Sequence, residues 1–317
     1  MYFPYLYGRQ SEFLALRAML ADSQRPASLL LPVIEPVNLN PKSLLACLKA
    51  FDKNGRPVVV IVNPDKHELK TPGEIKQWQD EVLPVIDTLP SVIPTYRCTA
   101  KTTYNRIEQF LKRFSGRETA IVYHNPSLPH AELSTLALHP SVRFHIIVND
   151  DISPSSRKLL PASKRVDIRD DFNKQDRNAD YGGQEYFTDR HTTYKQNYIG
   201  FGDFTCTGMA FRGTGGPPGA VAIHAIYKSS PSEISMEHFV SDDTVVGNGD
   251  VADKFQQAAV KLTKAVKKRP LEFGNNPALV EYQRLVQAKH FPNLTTNKKL
   301  QIQHHVCLML DVLRSAI

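Results

Sequence analysis

The feature that most constrains this chain is a rhythm: short apolar runs, each closed by a turn-forming polar residue and followed by an amphipathic segment, repeat from the first residues onward. Met1 to Tyr7 is aromatic and β-prone, and Gly8 releases it into a helix with Phe13, Leu14, Leu16 and Leu20 at helical spacing. A strand this early implies a first segment buried in the sheet. Ser28 to Ile34 is a continuous apolar run ending at Glu35-Pro36, after which Leu44, Leu45, Leu48 and Phe51 share a helix face. Pro57 to Val62 ends at Asn63-Pro64, before a helix from Gly73 to Leu89 that Pro84 should kink or split. Val92 to Tyr96, Thr119 to Tyr123 and Val142 to Val148 repeat the pattern, with helices over Tyr104 to Phe114, His130 to Leu138 and Ser155 to Leu160. Arg165 to Ile168 leads to Asp170-Asp171.

Continuous apolar strands fit a parallel sheet buried on both faces, and successive strand–helix units pair through right-handed crossovers. Seven such strands, with Tyr198 to Thr205 as the eighth, give the number that closes a barrel. The expected fold is therefore α/β, a (β/α)8 TIM-barrel-like domain over residues 1–250 with a C-terminal helical extension over 251–317 packed on it. An open doubly wound sheet is the alternative, but no Gly-x-Gly-x-x-Gly turn follows the first strand. Tyr198 to Lys228 reads as the closing part of the barrel, two alternating apolar segments around Gly213 to Gly219. Pro217 and Pro218 remove amides that a phosphate cradle needs, so that turn reads as a hairpin or bulge. Asn173 to Gln196 breaks the rhythm with a long polar loop, expected over the C-terminal mouth. Asp250 to Lys268, Pro277 to Ala288 and Asn297 to Ala316 are amphipathic helices.

At 317 residues and 41% hydrophobic, the chain can bury a large core. Its net charge of +7, from 39 Lys+Arg against 32 Asp+Glu, favours anionic partners such as nucleotides, nucleic acid or an acidic protein surface. The basic residues occur in short runs, Lys267-Lys268-Arg269 and Lys298-Lys299, where a dedicated DNA binder concentrates them on one face. Cys47, Cys98, Cys206 and Cys307 form no Cys-x-x-Cys pair, which, with no recognisable signal peptide, argues against a zinc ribbon or a disulfide framework. No window approaches the ~18 apolar residues of a membrane span. A soluble cytoplasmic protein without a membrane partner is expected.

In a barrel of this kind the side chains at the C-terminal ends of the strands converge on one mouth. Those positions hold Glu35, Asn63, Arg97, His124, Asp150, Asp170 and Asp203, with His224 and Lys228 nearby in sequence. Glu35, Asp150 and Asp203 are candidate ligands for Mg²⁺ or Mn²⁺, since hard cations take carboxylate oxygens. His124, His224 and Asp203 are candidate catalytic groups for phosphodiester chemistry. Asn63, Arg97, Asp170, Tyr181, Arg190 and Lys228 are candidate ligand contacts. Asn-Pro and Asp-Asp after a strand are also ordinary turn and N-cap chemistry. The chain lacks a Gly-x-Ser-x-Gly elbow, a Walker lysine loop and a His-Glu-x-x-His helix, which sets aside serine hydrolases, P-loop NTPases and zincins. His304-His305 has no further ligands nearby and is a poor metal site.

The opening MYFPYLYGRQSEFLALR, the strand end PVIEP and the late block GFGDF, GGPPGAVAIHAIY and HFVSDD resemble the bacterial and phage-linked beta protein family. That resemblance implies a large barrel-type α/β fold and a setting in defence or toxin-linked loci, and it brings no catalytic residues. Two readings stand side by side. One is a partner module that recognises an acidic protein, encoded nearby, or a nucleic-acid ligand at the mouth. The other is a metal-dependent phosphodiester or nucleotide hydrolase.

Overall fold

Runs of β-branched residues become strands and segments with one apolar face become helices. The structure, a computed structural model, describes residues 1–213 and 219–315. From the N-terminus the order is β1 (Tyr5–Leu6), α1 (Gln10–Leu20), β2 (Val33–Ile34), α2 (Lys42–Lys53), β3 (Val58–Ile61), α3 (Pro72–Asp87), β4 (Val92–Cys98), α4 (Tyr104–Arg113), β5 (Thr119–Tyr123) and α5 (His130–Leu138). Then follow β6 (Val142–Val148), α6 (Pro154–Leu159), β7 (Arg165–Arg169), β8 (Gln184–Thr188), α7 (Arg190–Thr193) and β9 (Gly200–Asp203). The chain ends with β10 (Ala222–Ser230), β11 (Glu233–Val240), α8 (Val251–Lys268), α9 (Pro270–Phe273), α10 (Pro277–Gln287) and α11 (Leu294–Leu313).

These elements sort into two compact units that interleave in sequence. The first takes Met1–Arg9, Ala27–Asp170 and Thr193–Phe204, and the second takes Gln10–Pro26, Asp171–Thr192 and Thr205–Ile317. The division differs from the single boundary expected at residue 250. Segments on both sides of that position share the second unit.

The first unit is a (β/α)8 TIM-like barrel. Its eight strands run parallel in the order β1-β2-β3-β4-β5-β6-β7-β9. Tyr2 closes the ring, bridging in parallel to Leu30 on one side and to Phe201 on the other. The seam explains the glycines of GFGDF. A Cβ on Gly202 would lie 1.9 Å from the Phe3 carbonyl oxygen, and one on Gly200 would lie 2.2 Å from the Phe3 ring. Bare backbone is what lets β9 reach the first strand.

Three local readings change. Ser28 to Ile34 is a strand only at Val33–Ile34, preceded by a 3-10 turn at Ala27–Leu29. Pro84 neither splits nor ends α3, which runs on to Asp87. The missing amide costs one hydrogen bond near the last turn, and a capping box between Thr71 and Glu74 secures the other end. The polar stretch 173–196 supplies a strand, β8, to the second unit.

In the second unit β10, β11 and β8 form an antiparallel sheet in that order. The barrel-closing reading of Tyr198 to Lys228 therefore holds for β9 alone, because β10 belongs to this other sheet. Of the turn Gly213 to Gly219, residues 214–218 lie outside the described residues. Val221, Ile223, Ala225, Tyr227 and Phe239 on one sheet face pack with Phe255 and Leu262 of α8, Phe273 of α9 and Leu279 and Tyr282 of α10. Asp250, Asn276 and Asn293 cap α8, α10 and α11 by accepting a backbone N–H in the first turn. The C-terminal helices are thus the second layer of this sheet. All four cysteines are buried, and none is in a disulfide. No described helix is long and apolar enough to cross a membrane.

Candidate functional site

The barrel mouth is built around Arg97, near the end of β4. Asn63 fixes its backbone from the loop after β3, accepting from the Arg97 N–H at 2.7 Å and donating to the Arg97 carbonyl at 2.9 Å. These two bonds use one donor and one acceptor of the Asn63 amide to orient Arg97. The Arg97 guanidinium donates from Nη1 to Glu35 Oε1 at 2.7 Å and also to Asp65. Tyr5 of β1 donates to the other Glu35 oxygen at 2.7 Å. Burial, and then the Glu35 carboxylate, pushes the Tyr5 phenol well above its ordinary value, so it remains the donor. Glu35 is 1% exposed and Arg97 is 7% exposed. Losing Arg97 would leave a buried carboxylate short of its counter-ion, a change that costs about 3–5 kcal/mol.

Two further groups join this centre. Lys66 Nζ stands 3.9 Å from Glu35, and His124 Nδ1 stands 3.4 Å from Asp151 Oδ2. Burial and then Arg97 hold the His124 imidazole below its ordinary value, with Lys66 adding to this and Asp151 and Glu35 opposing it. His124 is therefore neutral near pH 7. The remaining Arg97 donors, Nε and Nη2, make no hydrogen bond to any described residue. These form the side-on edge of the guanidinium, whose geometry matches the two oxygens of one carboxylate or phosphate. Backbone in the left-handed region at His67, Asn125, Asn149 and Asp150 marks the loops that follow β3, β5 and β6. Non-glycine residues held there cluster at ligand sites.

The other expected positions separate. Asp150 pairs with Arg157 at 3.0 Å and Arg169 at 3.1 Å. The Asp170 N–H donates to Asn149 Oδ1 at 2.7 Å. Asp203 accepts from Tyr2 OH at 2.8 Å across the closing seam, and by strand alternation its side chain lies on the face opposite Gly202. Glu35, Asp150 and Asp203 are thus not one ligand set, since each is engaged by different neighbours on different strands. Among the described residues no group of three or more His, Cys, Asp or Glu side chains is placed to hold a metal ion.

His224, Tyr181, Arg190 and Lys228 belong to the second unit, which corrects their grouping with the barrel strands. Arg190 forms an ion pair with Asp171. Lys228, on β10, pairs in register with Ile234. His224 Nδ1 lies 2.8 Å from His238 Nδ1 on the neighbouring strand, and His238 Nε2 lies 3.1 Å from Glu185 on β8. The Tyr181 ring meets His224 edge-on at 4.4 Å. Burial above all holds the His224 imidazole well below its ordinary value. The pair is a buried cross-strand contact of this sheet.

Reading strand ends therefore found Glu35, Asn63, Arg97 and His124 and missed Tyr5, Asp65, Lys66 and Asp151. Lys66 and Asp65 were within reach, because the residues just after Asn63-Pro64 open the same loop. Tyr5 gave no signal beyond β propensity. No protein-family model matches this chain, and no curated protein matches it.

Proposed function

We propose that the barrel is a binding module that takes an acidic side chain of a protein partner at its mouth. The observation that carries this reading is the guanidinium edge of Arg97, held in place by Asn63, Glu35 and Asp65, with Nε and Nη2 unspent and Lys66 and His124 beside it. Local charge selects the partner class. Two cations, Arg97 and Lys66, stand against three carboxylates, Glu35, Asp65 and Asp151. That balance is −1 and repels a polyanion, so a single carboxylate is taken only through the directed N–H donors of the Arg97 edge, and a protein acid is favoured over a nucleic-acid strand at this position. Such a module fits the defence-linked or toxin-linked setting expected from the resemblance, with the partner encoded nearby. The metal-dependent hydrolase reading requires Glu35, Asp150 and Asp203 on one ion, and their separate partners speak against it.

An incoming carboxylate offsets the two cations that depress His124, so binding draws a proton onto His124 and tightens as the pH falls below neutral. The test is an NMR titration of the full chain with N-acetyl-glutamate amide, following the His124 ring and the Arg97 Nε–H. Saturable shifts, a raised His124 pKa on binding and an affinity at least about tenfold lower in Lys66→Glu are expected. Lys66 is the position to change because it is partly exposed, which leaves the buried Glu35–Arg97 pair intact. Equal binding of N-acetyl-glutamine amide, or no effect of Lys66→Glu, would overturn the reading.

A further inference from the structure

On the outer flank of the barrel α3 and α4 stand apart over β3 and β4, leaving a groove of about 490 Å³. We propose that this groove binds a nucleoside monophosphate. Strand alternation creates its floor: Thr95 and Arg97 face inward, so Tyr96 faces out between the helices. The Tyr96 ring lies 5.5 Å from Phe110, and Phe110 lies 5.3 Å from Phe114, giving an aromatic surface on which a base can stack.

The walls supply the remaining chemistry. Arg106 and Arg113 are seven residues apart on α4, which places both on the groove side about two turns from each other. Arg113 is braced by Asp87, with Nη2 to Oδ2 at 2.5 Å. The Arg106 side chain is exposed, and its guanidinium forms no ion pair or hydrogen bond with a described residue. Two guanidiniums, one braced and one free, suit a phosphate dianion. Gln79 donates from Nε2 to the Val62 carbonyl at 2.7 Å, which fixes its amide and leaves Oε1 as an acceptor for an exocyclic amine. Exposed Gln109 adds a second amide on the same wall. The volume falls in the ordinary range for small-molecule sites, about 300–1,000 Å³.

The test is calorimetric titration of the full chain at low salt with AMP, GMP, CMP and UMP, with inorganic phosphate and with the uncharged nucleosides. At least one monophosphate should bind, with phosphate alone and nucleoside alone each at least about tenfold weaker. Arg106→Glu should lower that affinity at least tenfold, while Lys112→Glu, on the same helix but lining a different cavity, should leave it unchanged. Both positions are exposed, and unchanged thermal unfolding of the two variants confirms that they fold. Equal losses in both variants would mean diffuse charge attraction and overturn the proposal. Phosphate binding as tightly as any nucleotide would overturn it too, and so would binding of oligonucleotides alone.

Discussion

The residue that best shows how tightly sequence and closure are tied is Gly202. Its conformation is ordinary for any residue, and its necessity comes from the Phe3 carbonyl, 1.9 Å from where a Cβ would sit. A methyl group there meets backbone that cannot rotate away, so Gly202→Ala is expected to cost about 3 kcal/mol or more. Gly73, in the first turn of α3, has nothing within 4 Å of its own Cβ position, and Gly73→Ala should be neutral or slightly stabilising. Comparing the two melting temperatures checks this, and equal shifts would refute the steric account of the seam. Arg97 shows the same coupling in polar form. One guanidinium neutralises Glu35, takes its position from Asn63 and keeps Nε and Nη2 clear of hydrogen bonds to described residues, so structural support and the proposed binding would use different atoms of one side chain.

Among the elements, α11 explains how the short sheet of the second unit is kept from pairing further. The outward edge of β10 presents the Ala222 carbonyl, the His224 N–H and the Ile226 carbonyl. Gln301 accepts from His224 N–H at 3.2 Å and donates to Ala222 at 3.3 Å, and His304 donates to Ile226 at 2.8 Å. Two side chains one turn apart on a helix thus stand in for a neighbouring strand. This accounts for the buried polar residues of α11, and it explains why His304, whose Nδ1 accepts from Asn276, is structural. Gln301→Leu leaves two buried backbone groups unpaired at roughly 1–3 kcal/mol each. Urea unfolding should show that loss, and hydrogen exchange should show faster exchange of the His224 amide. An unchanged His224 exchange rate would mean that Gln301 does not protect the edge.

At the scale of the whole molecule, each unit carries a buried neutral histidine that makes it sensitive to acid. His145 in the barrel bonds Tyr123 OH through Nδ1 at 2.9 Å, and burial holds it at about 3. His304 in the second unit is held at about 4, again chiefly by burial. Both values lie below the ordinary 6.5, so the unfolded chain takes up these protons first. The stability each lends is complete above about pH 6.5 and falls as pH drops toward those values, by about 1.4 kcal/mol per pH unit for each. Denaturant unfolding between pH 7 and pH 4 should show that slope, reduced by about one proton in His304→Gln. A slope unaffected by that substitution would remove His304 from the account.

The sequence by itself determined the barrel, because its evidence is local: a period of apolar runs, a helix face after each and a polar residue at each exit, all readable within about twenty residues. It also placed Glu35, Asn63, Arg97 and His124 at strand ends, since strand direction alone decides that. Only the tertiary structure decided which polar residues meet. Asp150 and Asp203 have the same local sequence character as Glu35, yet Arg157, Arg169 and Tyr2 claim them through contacts outside their own strands. The assignment of β8 and β10 to a second sheet was hidden for the same reason. Alternation shows that a segment is a strand, but its pairing partner is chosen by long-range packing, here against α8, α10 and α11, which lie far along the chain.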